Sequence, residues 1–197
     1  ASHKDPGKKH VLPVRPKWYG CSCCPPNLAR LVMSLGMYAY GFRGDEVYVH
    51  QYVAGSVALE TEAGKLAFSL ETNYPYDGEM RFTMPAGRYG MNLRIPGYAK
   101  GRFEILINGR NVQAECEKGY ARVAREWAEG DILTLRLAFV PRRVYADPRI
   151  REDIGRVAVM RGPLVFCLED ADNGKLLSGV WLDPDSPLEE RWCEDKL

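Results

Sequence analysis

Phe103-Glu104-Ile105-Leu106-Ile107-Asn108-Gly109 is the stretch that decides the fold. Phe103, Ile105 and Ile107 alternate with polar Glu104 and Asn108, a period of two that gives a strand one buried face. Asn108-Gly109 closes the run, and both residues tolerate positive φ, so a tight hairpin turn follows. The same period appears on either side. Met80, Phe82 and Met84 alternate with Arg81 and Thr83, and Leu133, Leu135 and Leu137 with Thr134 and Arg136. Turn signals recur at Gly64, Pro75 to Gly78, Pro85 to Gly87, Pro96-Gly97 and Glu129 to Asp131. Many short strands at this spacing predict a mainly β protein with a sandwich of about 100 residues. Its expected span is 42–140.

Beyond the sandwich, Pro141 to Asp153 reads as a linker. Val157 to Met160 and Leu164 to Leu168 then read as two strands around Arg161-Gly162-Pro163. Two strands are marginal alone, so they begin a second sheet or join the first. Residues 141–197 are therefore expected to be a linker and a partial second sandwich, with a loop-rich tail from Asp170. Upstream, residues 26–41 give the one convincing helix. Leu28, Leu31, Val32, Leu35, Tyr38 and Ala39 fall at helical spacing, with Gly41 and Gly44 closing the element. One amphipathic helix cannot bury its own stripe. The sandwich, helices outside this chain, or a second copy in a homo-oligomer would have to cover it.

Composition narrows the function classes. Of 197 residues, 27 are basic and 26 acidic, so charge recommends neither nucleic acid nor an anionic membrane as partner. No apolar run approaches the roughly 20 residues of a membrane span. No signal peptide is evident, and the polar start at Ala1 reads as the beginning of a piece of a longer protein. Six cysteines could suggest three disulfides, but three fall within four residues while Cys116, Cys167 and Cys193 are scattered. That distribution suits reduced thiols in a cytoplasmic setting better than a secreted scaffold.

The chemistry concentrates at Cys21-Ser22-Cys23-Cys24-Pro25-Pro26-Asn27. Crowded thiols bind soft metals and act as nucleophiles. A helix starting at Pro25 or Pro26 would place them at its positive end, which favours thiolate over thiol. Zinc deprotonates a coordinated thiol and takes four ligands, of which an adjacent pair supplies two. From spacing alone, two buried thiols or a disulfide from Cys21 to a neighbour are equally open.

Trp18 to Leu31, with Cys21-Ser22-Cys23-Cys24-Pro25-Pro26-Asn27 at its centre, resembles the signature of glycoside hydrolase family 127, the β-L-arabinofuranosidases. The likeness continues in order through Val47 to Tyr52, Glu71 to Gly78, Leu93 to Tyr98, Ile107 to Gly109, Arg125-Glu126-Trp127, Gly155 to Ala158 and Arg161 to Val165. The resemblance implies an (α/α)6 catalytic barrel followed by β-sandwiches. Residues 1–41 would then be the C-terminal end of the barrel, including its last helix. It implies a retaining glycosidase acting on L-arabinofuranose-containing glycans, with Cys23 as nucleophile and zinc ligand and Cys24 as a second ligand. The remaining ligands and the acid/base would lie upstream, so this chain alone is expected to be inactive. The rivals are a non-catalytic β-sandwich module, for carbohydrate binding or structural support, and a sibling glycosidase acting on another sugar.

Other residues invite plainer readings. His50 reads as a packed or exposed strand residue, His3 and His10 as loop residues, and Trp18 and Tyr19 as loop anchors or the floor of a sugar pocket. Cys116, Cys167 and Cys193 read as structural. The acidic residues form no distinctive pair from which a general acid could be chosen.

Overall fold

The computed structural model describes residues 23–61 and 64–191. They fall into two units, divided between Tyr38 and Ala39.

The first unit carries α1 (Cys24–Met33); α2 (Leu35–Ala39) follows and ends at the division. The helix expected over 26–41 starts earlier and is broken at Ser34. The Ser34 hydroxyl donates back to the carbonyls of Arg30 (2.8 Å) and Leu31 (3.2 Å), and its own N–H takes the same two acceptors. Local bonds of this kind compete with helix continuation. Leu28, Leu31, Val32 and Leu35 are exposed. The glycines expected to close the helix do other work. Gly41 sits inside a strand, where a Cβ would come within 2.9 Å of His50 Nε2, and Gly44, at φ +59°, makes the next turn.

The second unit is built of strands. In chain order the first six are β1 (Tyr40–Arg43), β2 (Glu46–Val49), β3 (Gly55–Thr61), β4 (Gly64–Thr72), β5 (Glu79–Met84) and β6 (Gly87–Arg94). Then come β7 (Phe103–Ile107), β8 (Arg110–Val112), β9 (Cys116–Glu117), β10 (Tyr120–Trp127) and β11 (Asp131–Leu137). The last three are β12 (Pro141–Val144), β13 (Ala158–Arg161) and β14 (Leu164–Phe166). One sheet runs β1-β2-β6-β10-β9 and a second β3-β4-β5-β11-β7-β8. All pairs in these two sheets are antiparallel except β2 with β6.

The two sheets share one core. Register sets Phe82, Leu133 and Ile107 in one cross-strand row and Met80, Leu135 and Ile105 in the next. All six are buried, as period-two alternation requires. Val47, Val49, Met91, Leu93, Ala121 and Trp127 supply the first sheet's side. Each fully buried Leu, Ile, Phe or Met contributes about 1.5–3 kcal/mol, so these rows are the main source of stability. The Trp127 indole N–H reaches the Tyr89 carbonyl at 3.1 Å, which satisfies the one polar atom of this buried ring. Asn108 (φ +49°) and Gly109 (φ +79°) turn the β7–β8 hairpin as expected.

β12, β13 and β14 form a separate three-stranded sheet. β12 occupies the start of the stretch read as a linker. Proline is admissible there because Pro141 opens a strand at the edge of its sheet. The residues after β13 and β14 hold α3 (Asp170–Asn173) and a 3-10 turn at Leu177–Gly179. The seam against the sandwich is aromatic. Phe139 meets Tyr74 and Tyr98 edge-on, Arg161 lies 5.5 Å over Phe139, and Arg142 lies 5.3 Å over Tyr98. Arg161 also donates to the Tyr76 carbonyl at 2.8 Å and pairs with Glu190. Three motif segments, at 71–78, 93–98 and 161–165, thus meet at one seam.

Candidate functional site

Cys23 caps α1 with helical backbone angles (φ −63°, ψ −38°), and Cys24 is the helix's first residue. Pro25 and Pro26 are its second and third, one place later than the sequence suggested. Their fixed φ suits a helix start, but neither brings an N–H. The first intrahelical bond is Asn27 N–H to the Cys23 carbonyl, at 3.2 Å. Asn27 Nδ2 donates to the same carbonyl at 2.8 Å, and the Arg30 guanidinium donates to Asn27 Oδ1.

The two sulfurs stand 3.7 Å apart on the exposed end of the helix, too far for a disulfide and within reach of an S–H···S contact. The spacing has a second meaning. Two thiolates at about 2.3 Å from one tetrahedral zinc lie about 3.8 Å from each other. The pair therefore fits two corners of such a site. Among the described residues no group of three or more His, Cys, Asp or Glu side chains could hold a metal ion, so the other two corners need ligands from elsewhere.

The other sequence candidates have their own settings. His50 lies one residue past β2, with Nδ1 2.7 Å from the Tyr120 hydroxyl and its ring against Gly41 and Tyr48. That is a packing role. Nearby on the same sheet, Arg122 and Asn92 both donate to Glu46, and the Arg122 contact in particular holds its carboxyl below the usual carboxylate range. Cys116 and Cys167 are free and exposed. Cys21, Cys193, His3, His10, Trp18 and Tyr19 lie outside the described residues. Asn27 and Arg30 stand four and seven residues from Cys23, a spacing that puts them on its side of the helix.

Two family models match in tandem, the GH127 middle domain of the beta-L-arabinofuranosidases over 46–139 and the glycoside hydrolase family 127 C-terminal domain over 141–192. The chain belongs to glycoside hydrolase family 127. The cysteine pair precedes both matched ranges. A non-reducing end beta-L-arabinofuranosidase of Bifidobacterium longum subsp. longum is 37% identical over 179 residues, which is 86% of this chain and 26% of that protein. The solved GH127 beta-L-arabinofuranosidase from Geobacillus stearothermophilus T6 superposes with TM-score 0.84 at 42% identity, over 95% of this chain and 30% of that one. A solved GH127 beta-arabinofuranosidase gives 0.74 at 35% identity, over 79% and 27%. This GH127 chain thus spans between a quarter and a third of these relatives.

Proposed function

We propose that a longer protein containing this chain is a retaining glycosidase that releases β-L-arabinofuranosyl groups, with Cys23 as its nucleophile. The observation that carries the reading is the Cys23–Cys24 sulfur pair, 3.7 Å apart at the start of α1 in a GH127 chain. In the first step the Cys23 sulfur forms a bond to the anomeric carbon as the glycosidic C–O bond breaks. An acid from another part of the protein gives its proton to the leaving oxygen. In the second step water, deprotonated by the same group, displaces the sulfur from the opposite face, so the two inversions retain configuration. Zinc held by Cys23 and Cys24 with two further ligands would keep the nucleophile deprotonated. Such chemistry needs thiols kept reduced, as in the cytoplasm. Among the described residues only Cys23 and Cys24 are placed to hold the metal, and in this reading the chain by itself should not turn over.

The test is a trapping experiment on the complete protein. An arabinofuranosyl electrophile should label one residue, and peptide mass spectrometry should place the adduct on Cys23. Cys23→Ser should remain folded and lose nearly all turnover, since a hydroxyl is far less ionised than a thiol. An adduct on a carboxylate, or an active Cys23→Ser variant, overturns the mechanism.

A further inference from the structure

The polar side of α1 carries a relay of hydrogen bonds that ends on the backbone of Cys23. Positions 23, 27, 30 and 34 recur in steps of four, three and four, so they share one side of the helix. A guanidinium only donates and an amide oxygen only accepts. With Arg30 on Oδ1, the Asn27 amide can take only one orientation, the one that turns Nδ2 toward the Cys23 carbonyl. That carbonyl therefore receives two donors from a single residue, Asn27 N–H at 3.2 Å and Nδ2 at 2.8 Å. A helical carbonyl ordinarily receives one.

The second donor matters because of where it acts. The Cys23 carbonyl accepts the first helical bond, from Asn27 N–H, so it anchors the first turn. The Cys23 carbonyl fixes ψ of Cys23 and the plane of the Cys23–Cys24 peptide. Those two quantities set the directions of both Cα–Cβ arms, and so where the two sulfurs can stand. We propose that Asn27 is a positioning residue for the Cys23 sulfur, with Arg30 holding the Asn27 amide in the sense this contact requires. Asn27 bonds to the Cys23 carbonyl and Arg30 to Asn27, so both are proposed to act through Cys23. The proposal rests on Cys23 being the nucleophile.

A purely structural role predicts something different. An exposed Asn–Arg pair on a helix would shift the melting curve slightly and leave the chemical step alone. The experiment uses the complete protein with Asn27→Ala, Asn27→Asp, Arg30→Met and Arg30→Lys. It measures kcat and KM on an aryl β-L-arabinofuranoside, the thermal melt, and, in zinc-stripped protein, the ratio of Cys23 to Cys24 adducts after limiting iodoacetamide. Loss of an orienting partner of a nucleophile and ligand typically lowers activity about 10–100-fold. Asn27→Ala and Asn27→Asp should show that loss in kcat, with KM within about threefold. Both should change the adduct ratio. Arg30→Met should follow them, and Arg30→Lys, which keeps a donor, should recover most of the rate. Unchanged kcat and adduct ratio in Asn27→Ala, beside an inactive Cys23→Ser, overturns the proposal and leaves the nucleophile standing. A kcat that falls only in proportion to unfolded protein overturns it as well. An active Cys23→Ser removes the underlying reading instead.

Discussion

Gly78→Ala is the sharpest test of the sandwich's packing. Gly78 stands just before β5, and its carbonyl accepts the Leu137 N–H at 2.8 Å. Its φ lies outside the left-handed region, so an alanine is not strained by backbone angle. The obstacle is space. A Cβ would sit 2.1 Å from the Leu137 carbonyl oxygen and 3.0 Å from the Phe139 ring. The first of these is backbone and cannot swing aside, so the chain before β5 must move off the end of β11 by about 1 Å to restore van der Waals contact. Overpacking of this kind costs about 1–3 kcal/mol, and weakening the Leu137–Gly78 bond adds about 1 kcal/mol. Against this, removing a glycine restricts the unfolded chain, a gain of about 0.4–1 kcal/mol.

The net expectation is a loss of about 1–3.6 kcal/mol, or roughly 2–14 °C in Tm for a chain of this size. Thermal melting followed by tryptophan fluorescence would measure it. Gly97→Ala is the control, because a Cβ there meets nothing within 4 Å and φ is not positive. It should stay within about 0.5 kcal/mol of wild type. If Gly78→Ala melts with the control, the close approach of these two backbones is wrong.

Three further outcomes are expected. Asp131 accepts from Asn108 Nδ2 (2.8 Å) and the Ala128 N–H (3.0 Å), which hold its carboxyl below the usual range. A lowered folded-state value stabilises above the unfolded carboxylate pKa and is lost as pH falls through the folded one. The gap in urea midpoint between wild type and Asp131→Asn should therefore be widest near neutral pH and close below about pH 4; a gap constant with pH would refute this. Arg161→Met removes the charged donor to the Tyr76 carbonyl and the Glu190 pair, and should cost about 1.5–3 kcal/mol in urea unfolding, with faster proteolysis of the tail. Trp127→Phe keeps a ring but leaves the Tyr89 carbonyl without its indole donor, and should lower stability by about 1–3 kcal/mol by thermal melting.

How much of this was legible depended on what each residue reports locally. Met80-Arg81-Phe82-Thr83-Met84 shows its strand because one face is buried and the other wet, and that contrast survives in the sequence. β1 does not show itself. Tyr40-Gly41-Phe42-Arg43 continues a helical stripe, and it is the antiparallel pairing with β2, with the His50 ring over Gly41, that holds the chain extended there. β12 is hidden by its proline and paired arginines, whose partners, Gly162 and Ser186, are distant in sequence. The parallel pairing of β2 with β6 is a long-range choice that no local period encodes. At the site the cysteines announce themselves by chemistry. Asn27 and Arg30 look like ordinary surface residues of a helix until their orientation is known.

The start of α1 also revises the electrostatic reading of that motif. A helix N-terminus favours an anion chiefly through the N–H groups of its first turn. Here the second and third residues are prolines, and the N–H of Asn27 is committed to the Cys23 carbonyl. Of the first four helical residues only Cys24 has an N–H left to offer. The same two prolines fix the helix start and strip it of donors, so the dipole is a weak partner for a charged Cys23 sulfur. In the proposed reading a soft divalent cation shared by the two sulfurs, which stand 3.7 Å apart as two corners of a tetrahedral site do, would supply the counter-charge. The proline pair, which from sequence reads only as a helix-start signal, thereby becomes an argument for the proposed metal.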